Sequence, residues 1–427
     1  MIRRTPKALV AFTTSLLLAG SIAACGDKDD DEGGGGGGGA ASGELKTGPG
    51  VTADKIRLGI LTDSSGVFAG LGIPLTEANR AFWKEQNAKG GVCDRQVTLS
   101  IKDHGYDPQK AVAQYRQMKD DVLAFNQLLG SPITAALLPN LQSDKTVSVL
   151  ASWASSLVAN PNVVVVGATY DVEMINAVDR LVDEGDLKKG DKVGHIFFEG
   201  EYGENGLLGS KYAAEKQGLQ IVEQKIKATD NDMSGQVAAL KRAGVKAILV
   251  NTGPRQMASI AGVAAAGGLN VPIVGSGPAF DPALLKTPAA KALQANATIV
   301  AGTAAPATDA PGAKESVAAF KKHSPKGDVK YSVNAGYAES RMMYEILNKA
   351  CENKDLTREG LQQALRELSG VDTQGLVAGT LDYSKLGEPP SRSVYFSKPD
   401  PGSEGGVKPL GEATVSENAE AYEVEGS

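Results

Sequence analysis

Lys55-Ile-Arg-Leu-Gly-Ile-Leu61, followed directly by Thr62-Asp-Ser-Ser-Gly66, is an apolar run that ends in turn-forming polar residues. This pattern is typical of a buried β-strand that leads into a loop. The elements predicted next repeat the order of strand, turn and helix: a helix at 75–88, a strand at 96–102, a helix that opens at Asp107-Pro108, and a strand at 122–129. Asp107 supplies an N-cap acceptor, and Pro108 suits the first helical position. Strands that alternate with helices predict a parallel sheet.

The same alternation continues through the second half of the chain. Further strands are predicted at 163–166, 193–198, 245–250 and 271–274, helices at 335–350 and after Thr357, and short strands within 380–396. Two doubly wound parallel sheets in one chain indicate an α/β protein with two lobes. Ligands of such sheets bind beyond the carboxyl ends of the strands, so the loops at those ends form the candidate site.

The first 25 residues have the pattern of an export signal. Arg3, Arg4 and Lys7 precede an apolar stretch at 8–18, which is shorter than the roughly 20 residues that a bilayer span needs. Ile22-Ala-Ala-Cys25 resembles a bacterial lipoprotein box, which predicts a signal peptide at 1–24 and a lipid on Cys25. An ordinary signal peptide with an incidental Cys is the alternative. Residues 25–50, with seven consecutive glycines at 33–39, are expected to form a flexible linker to the membrane.

Charge and motif content argue against several classes of function. The chain has 44 basic and 50 acidic residues, and its formal charge of −6 argues against a nucleic-acid partner. Gly70-Leu-Gly-Ile-Pro-Leu75 lacks the third glycine of a dinucleotide fingerprint, and Gly-x-Ser-x-Gly does not occur. The chain has only three histidines, and the acids of 103–107 could hold a cation, but a turn with Asp107 as the helix cap explains them equally well. We therefore expect no catalytic residue, no metal and no cofactor.

The order of several short motifs resembles the leucine/isoleucine/valine-binding family of transporter substrate-binding proteins. The motifs are Ile56–Leu61, Ser65-Gly66, Asn87-Ala-Lys-Gly-Gly91, Asp107-Pro108 before Ala111-Val-Ala113, Gly130-Ser131, Tyr202-Gly-Glu204 and Gly336-Tyr-Ala338, and the likeness spans roughly 51–379. The resemblance implies a two-lobed Venus-flytrap fold, the type 1 periplasmic binding protein fold, with three hinge crossovers between the lobes. It also implies that the protein binds a small molecule and hands it to an ABC permease in the membrane.

The resemblance divides the chain into alternating segments. It implies that lobe 1 consists of residues 51–169 and 303–371, that lobe 2 consists of 170–302 and 372–400, and that 401–427 is a polar tail. It also returns the late helix that ends near Cys351 to the lobe of the first helix, which Cys93 follows. These two cysteines are an even pair once Cys25 carries lipid. In an exported protein this predicts a disulfide, with two separately buried thiols as the alternative.

The resemblance and the loops at the strand ends together predict the ligand-binding residues. They are Ser65, Phe68, Ser131, Thr134, Trp153, Ala154, Ser155, Tyr170, Tyr202, Thr252, Pro278 and Phe280. In the family, the loop of Ser131 and Thr134 hydrogen-bonds a ligand carboxylate, and an aromatic residue at the position of Tyr202 covers the ligand. Turn chemistry alone is the alternative for any of these loops, and a place in the core is the alternative for Trp153.

The loop that matches 275–279 bears on the charge of the ligand. Amino-acid binders of the family often place an acid there, which pairs with the ligand ammonium, but here the loop reads Gly-Ser-Gly-Pro-Ala. An unpaired buried ammonium is costly. A branched-chain amino acid is therefore disfavoured unless Asp281 or Asp63 supplies the charge.

Taken with the resemblance, the sequence predicts a solute-binding lipoprotein without chemistry of its own. It is expected outside the cytoplasm, held at the bacterial cell membrane by lipid on Cys25, where it delivers a small polar solute such as an amino acid or amide to an ABC importer. We expect a monomer. Two alternatives stay open: a sensor that presents its solute to a membrane receptor, and an envelope hydrolase with an unrecognised site.

Overall fold

A computed structural model describes residues 44–424 of the chain. The predicted signal peptide, Cys25 and the glycine-rich stretch lie outside these residues. The strands are β1 (Lys46–Thr47), β2 (Lys55–Thr62), β3 (Gln96–Asp103), β4 (Ala124–Leu129), β5 (Ser148–Ala151), β6 (Val163–Val164), β7 (Lys192–Phe198), β8 (Gln220–Ile226), β9 (Ala247–Asn251), β10 (Ile273–Ser276), β11 (Ala297–Ala301), β12 (Asp355–Leu356), β13 (Tyr395–Pro399) and β14 (Val407–Pro409). The helices are α1 (Ala69–Ala88), α2 (Pro108–Met118), α3 (Ser131–Asp144), α4 (Tyr170–Asp183), α5 (Glu201–Gln217), α6 (Ser234–Ala243), α7 (Pro254–Ala266), α8 (Ala290–Asn296), α9 (Pro311–His323), α10 (Ser332–Glu352), α11 (Arg358–Glu367) and α12 (Glu417–Ala421).

Lobe 1 is built on a five-stranded parallel sheet in the order β3-β2-β4-β5-β6. Its central strands are buried on both faces, as expected of a parallel sheet that helices cover: every residue of β4 is buried, the polar Asn126 and Gln127 included, as are Ile60 and Leu61 of β2. α2 begins where the sequence predicts, because the Asp107 carboxylate accepts hydrogen bonds from the backbone N–H groups of Gln109 and Lys110 at 2.8 and 3.2 Å. α1 packs against α10 and α9, so both chain segments of this lobe share one core.

Lobe 2 contains a seven-stranded sheet in the order β14-β13-β11-β10-β9-β7-β8. The strands from β8 to β11 are parallel, whereas β13 and β14 are added in antiparallel orientation beyond β11. The segment after residue 400 is therefore not the polar tail expected from the sequence. β14 pairs with β13, and α12 packs against α4 with Ala419 fully buried. This addition gives β13 a partner on a side that would otherwise expose unpaired backbone groups.

The structure also differs from the sequence prediction at the start of the fold and in several strands. β1 pairs in parallel with β12 through Lys46 with Asp355 and Thr47 with Leu356, so residues 46–47 belong to the fold and not to the linker. β5, β8 and β11 have no counterpart among the predicted strands. Between 380 and 399, only Tyr395–Pro399 forms a strand.

Three crossover segments connect the lobes and lie side by side. The second crossover, at 302–304, and the third, at 376–378, are joined by two backbone hydrogen bonds of 2.9 Å. The first crossover contains Gly167, whose φ of +123° is a conformation that glycine adopts readily, and an added Cβ would lie 3.2 Å from Val377 Cγ1. The two-lobed fold that the resemblance implies is confirmed, and its connections run through one narrow region.

A disulfide joins Cys93 to Cys351 within lobe 1, as predicted. The Cα atoms lie 6.1 Å apart and the two residues are 258 positions apart in the chain. Cys93 follows α1, and Cys351 lies in the last turn of α10. The bond therefore ties the first chain segment of lobe 1 to the segment that returns from lobe 2.

Candidate functional site

A small cavity, which we call the Trp153 compartment, lies between the lobes. Its walls are mostly aliphatic and aromatic, and they consist of Leu71, Leu75, Ala151, Trp153, Tyr170, Gly277, Pro278, Tyr331, Ser332, Ala335 and Glu339. Lobe 1 contributes α1, α10 and the loop after β5, and lobe 2 contributes the start of α4 and the turn after β10. The loop after β5 and the turn after β10 both follow the carboxyl end of a strand in a parallel part of its own sheet. The cavity therefore lies beyond the carboxyl ends of strands from both sheets, as expected for open parallel sheets.

A second small cavity adjoins the first and is called the Ser131 compartment. It is lined by Phe68, Leu71, Tyr106, Leu129, Gly130, Ser131, Ala151, Tyr170, Tyr202 and Pro278. Four residues line both cavities, namely Leu71, Ala151, Tyr170 and Pro278. The two compartments therefore form one interlobe site.

Aromatic rings from both lobes meet at the Ser131 compartment. Phe68 and Tyr106 of lobe 1 form an edge-to-face pair with centroids 4.9 Å apart, and Tyr170 and Tyr202 of lobe 2 form another at 4.7 Å. Phe68 also contacts Tyr202 across the cleft at 6.3 Å. Edge-to-face pairs contribute about 0.5–1.5 kcal/mol beyond the burial of their area. The rings thus supply a rigid apolar wall that is complete only when the lobes are close together.

Hydrogen bonds fix the orientation of the Tyr202 ring. Its hydroxyl donates to the carbonyl of Thr252 at 3.2 Å and lies 2.6 Å from Ser276 Oγ. Burial raises the pKa of the Tyr202 phenol well above its usual range, so the group is neutral at physiological pH. The ring can therefore serve as a wall for a ligand, while its polar end is already satisfied within lobe 2.

Polar groups in the Ser131 compartment lie at the start of a helix. Ser131 is the first residue of α3, and Gly130 before it has a φ of +105°. The Ser131 hydroxyl lies beside the Tyr170 phenol. A helix N-terminus carries unpaired backbone N–H groups and a partial positive charge, which favour a negatively charged group. This end of the site is suited to a carboxylate.

A buried carboxyl lies on the opposite side of the site. Glu339 of α10 lines the Trp153 compartment and is fully buried. Its Oε2 accepts a hydrogen bond from Asn79 Nδ2 at 3.4 Å, whereas Oε1 has no hydrogen-bond partner within residues 44–424. Burial raises the pKa of Glu339 well above its usual range, and the Asn79 hydrogen bond opposes this only in part.

The structure places half of the predicted ligand-binding residues on the walls of the two compartments: Phe68, Ser131, Trp153, Tyr170, Tyr202 and Pro278. Ala154, Thr252 and Phe280 are buried but line neither compartment. Trp153 has features of both a ligand-binding residue and a core residue. Its ring borders the cavity, while its indole N–H donates to Leu150 O at 3.0 Å within lobe 1.

The three remaining hydroxyl residues of the prediction are occupied by partners within the protein. Ser65 Oγ donates to Asp103 Oδ2 at 2.7 Å. Thr134 Oγ1 donates to Gly130 O at 3.1 Å and lies 3.0 Å from Ser152 Oγ. Ser155 Oγ donates to a carboxylate of lobe 2, described below. These three residues do not line either compartment. Their hydroxyl groups stabilise a loop or an interlobe contact instead.

The two acids considered as partners for a ligand ammonium are also occupied. The Asp63 carboxylate accepts hydrogen bonds from the backbone N–H groups of Ser65, Gly66 and Phe68 at 3.2, 2.5 and 2.9 Å, which closes the loop after β2. Asp281 forms an ion pair with Lys330 at 2.8 Å. Neither acid borders the Trp153 or the Ser131 compartment.

Several wall residues were not among the predicted set, most notably Leu71, Leu75, Tyr331 and Glu339. Leu71 and Leu75 are one helical turn apart on α1, and Glu339 follows Ala335 by one turn on α10, so each pair lies on one helix face. For Glu339, the sequence signal is an acid that lies one helical turn after the small residue Ala335 on the same helix face. Loops alone therefore do not make up the site.

Residues 44–424 contain no cluster of three or more His, Cys, Asp or Glu side chains suited to a metal ion. Within the same range, no helix is both long and apolar enough to cross a bilayer.

Comparisons with known proteins agree with the two-lobed fold. The sequence model of a family described as periplasmic binding protein matches residues 55–405. A fatty acid ABC transporter substrate-binding protein from Thermomonospora curvata is 43% identical, covers 89% of this chain and 97% of its own, and superposes with a TM-score of 0.86.

More distant structures share the fold. A branched chain amino acid ABC transporter protein from Thermus thermophilus with bound valine is 18% identical, covers 87% of this chain and 99% of its own, and has a TM-score of 0.76. A leucine binding protein from Thermotoga maritima is 17% identical, covers 85% of this chain and 99% of its own, and has a TM-score of 0.72. No match is found among curated proteins.

Proposed function

Because the chain belongs to the periplasmic binding protein family, whose members bind solutes for ABC transporters, we propose that it is an extracytoplasmic lipoprotein that binds a largely apolar carboxylic acid. The solute would lie between the lobes and pass to the permease of an ABC importer. The observation that carries the proposal is the interlobe site, with apolar walls in the Trp153 compartment and a helix N-terminus at the Ser131 compartment.

The chemistry of the walls supports a more apolar solute than the amino acid or amide expected from the sequence. Leu71, Leu75, Trp153, Tyr331 and Ala335 offer carbon surface to the solute. Burying apolar ligand surface contributes about 25 cal/mol per Å². A fatty acid has this division into a hydrocarbon chain and one carboxylate, and the Thermomonospora curvata protein that is 43% identical is described as a fatty acid binder.

The two lobes contribute different parts of the proposed binding. The carboxylate would meet Ser131 and the start of α3 in lobe 1, while Tyr170 and Tyr202 would cover the solute from lobe 2. A ligand can drive closure only if it binds the closed state more tightly than the open one. Walls that come from both lobes supply that difference, because they surround the solute only after closure.

Titration with octanoate tests the proposed solute class. We expect the purified full chain to bind octanoate by isothermal titration calorimetry, and Tyr202→Ala to weaken binding by about 1–3 kcal/mol, or roughly 5- to 150-fold, because an aromatic wall is lost. Tyr212→Ala is the matched control, since Tyr212 contacts Tyr422 away from the cleft.

Small-angle scattering adds a test of closure. We expect the radius of gyration to fall on saturation with octanoate. Absence of octanoate binding would contradict the proposed solute class. A constant radius of gyration together with unchanged affinity in Tyr202→Ala would contradict the two-lobed clamp.

The proposed anchor is tested separately at Cys25. We expect Cys25→Ser to release the protein from the membrane fraction or to leave the precursor uncleaved, because the thiol that accepts the lipid is gone. Normal processing with unchanged membrane retention would show that Cys25 is not the anchor.

A further inference from the structure

One face of α10 carries polar groups that the proposed function does not use. Ser332, Ala335 and Glu339 have the spacing i, i+3, i+7 and all line the Trp153 compartment. The Ser332 hydroxyl and Glu339 Oε1 are buried and have no hydrogen-bond partner among the described residues. Buried polar atoms are nearly always paired. Two unpaired polar atoms on one wall of a cavity therefore indicate a ligand group that pairs with them.

The surroundings of Glu339 determine its charge. No described Lys, Arg or His contacts its carboxyl, and its one hydrogen-bond partner among residues 44–424 is Asn79. Asn79 Nδ2 is held by a shorter hydrogen bond, of 2.7 Å, to Gln127 Oε1. An ionised carboxylate that is buried without a cation is costly, so Glu339 keeps its proton at neutral pH. A protonated carboxyl can donate a hydrogen bond to a ligand as well as accept one.

We propose that Glu339, as a neutral carboxyl, and Ser332 form a second polar subsite that hydrogen-bonds an uncharged hydroxyl or carbonyl group on the apolar part of the solute. The inference rests on the proposed function, because it takes the carboxylate of the solute to lie at the Ser131 compartment. It narrows the solute class from fatty acids in general to hydroxylated or oxo-substituted carboxylic acids. A plain hydrocarbon chain would fill the Trp153 compartment but leave both polar groups unpaired.

The arrangement of the compartments allows one molecule to reach both polar ends. Tyr170 lines both compartments, lies beside the Ser131 hydroxyl and is close enough to Glu339 to interact with it electrostatically. Leu71 and Pro278 also border both compartments, so the connection between them is apolar. A short hydrocarbon chain therefore suits the space between the two polar ends.

Calorimetric titration with substituted acids tests the subsite. The probes are octanoate, its 3-, 6- and 8-hydroxy derivatives, and 8-aminooctanoate. We expect the wild type to bind at least one hydroxy acid about tenfold or more tightly than octanoate. Glu339→Gln should keep this preference, because an amide still donates and accepts. Glu339→Leu should abolish the preference, so that the hydroxy acid and octanoate bind this variant with equal affinity, and Glu352→Gln, an exposed change on the same helix, should alter nothing.

Infrared spectroscopy on the ligand-free wild type supplies a second readout, which does not depend on ligand binding. We expect the carbonyl band of a protonated carboxyl at pH 7, assigned by its loss in Glu339→Gln. A carboxylate band at this position would overturn the proposal.

The binding outcomes separate the subsite from the function on which it rests. Survival of the hydroxyl preference in Glu339→Leu, or tightest binding of 8-aminooctanoate, would overturn the subsite alone, since octanoate binding and its weakening in Tyr202→Ala report on the proposed function. Failure of the wild type to bind any of the acids would overturn both.

Discussion

Two of the polar contacts between the lobes differ in how they are built. The Asp171 contact is buried: Ser155 Oγ of lobe 1 donates to Asp171 Oδ2 at 2.6 Å, and Asn205 Nδ2 donates to the same Ser155 oxygen at 2.6 Å. The Lys330 contact is partly exposed: Lys330 Nζ of lobe 1 lies 2.8 Å from Asp281 Oδ2 of lobe 2, with 20% and 12% of the side chains accessible.

The difference indicates which contact yields when the site opens. Separating Ser155 from Asp171 would leave buried hydrogen-bonding groups without partners beside the first crossover, where α4 begins. Separating Lys330 from Asp281 would let water reach two charges that are already partly hydrated, which costs little. Movement of the lobes is therefore expected to preserve the Asp171 contact and to break the Lys330 contact.

Removal of the Asp171 carboxylate should have the largest effect. This side chain accepts hydrogen bonds from Ser155 Oγ and the backbone N–H of Val172, and contacts the Thr169 hydroxyl. We expect Asp171→Ala to lower the free energy of unfolding by about 2–4 kcal/mol, because buried donors lose a charged acceptor. Urea denaturation measures the change, with the exposed Asp183→Ala on the same helix as control. A loss below that of the control would show that the contact is not a stabilising one.

The carboxyl of Glu173, beside the same contact, should give a pH-dependent effect of intermediate size. Glu173 is fully buried, accepts from Gly302 N at 3.2 Å, and has an unpaired Oε2. Burial raises its pKa well above the usual range, with the Gly302 hydrogen bond acting against this and Asp171 adding to it. The folded state thus favours the protonated form, and its contribution to stability is largest below the unfolded pKa of about 4.3 and declines as the pH rises.

Glu173→Gln should therefore stabilise the protein relative to wild type, and more at pH 8 than at pH 5, by about 1–3 kcal/mol. Denaturant unfolding of both proteins at the two pH values gives the difference, and each protein serves as its own reference across pH. A difference that shrinks as the pH rises would mean that Glu173 is stabilised as a carboxylate.

Loss of the Asp281 charge should have the smallest effect on stability and a visible effect on kinetics. We expect Asp281→Asn to change the free energy of unfolding by less than about 1 kcal/mol, since the ion pair is partly exposed. Octanoate should dissociate faster in stopped-flow measurements at low salt, and the difference from wild type should disappear at high salt. Glu223→Gln, which breaks an exposed ion pair within lobe 2, is the control. Equal dissociation rates at low salt would exclude a role for the Lys330 contact in closure.

Local sequence patterns predicted the regular parts of the fold well. The strand at 55–61, the helix that begins after Asp107 and the helix capped by Thr357 are present, because each has a strong local signal. β8 lacks such a signal: Gln220–Ile226 is an edge strand with several exposed polar side chains, so its pattern resembles a loop. The family model that matches residues 55–405 confirms the family resemblance. That resemblance rests on the order of several motifs, because no single motif in the sequence is specific to the family.

The site was harder to predict, for a physical reason. Ser131 and Ser155 look alike in the sequence, since both are hydroxyls in loops at strand ends, but the first borders a cavity and the second is consumed by Asp171. Whether a hydroxyl is free depends on partners that are distant in the chain. Glu339 was not predicted as a site residue because its helix has a clear apolar stripe, and core packing alone accounts for that stripe.

The disulfide between Cys93 and Cys351 has a consequence for how the molecule withstands damage. The ring that it closes runs from Cys93 to Cys351 and encloses all of β7 to β11, so a protease that cuts a surface loop between β7 and β11 produces two pieces that remain one covalent molecule. The cut ends also stay close to each other, because both pieces remain attached to the core of lobe 1. Outside the cytoplasm, where proteases can cleave exposed loops, such a closed ring keeps the two pieces of a cleaved protein together.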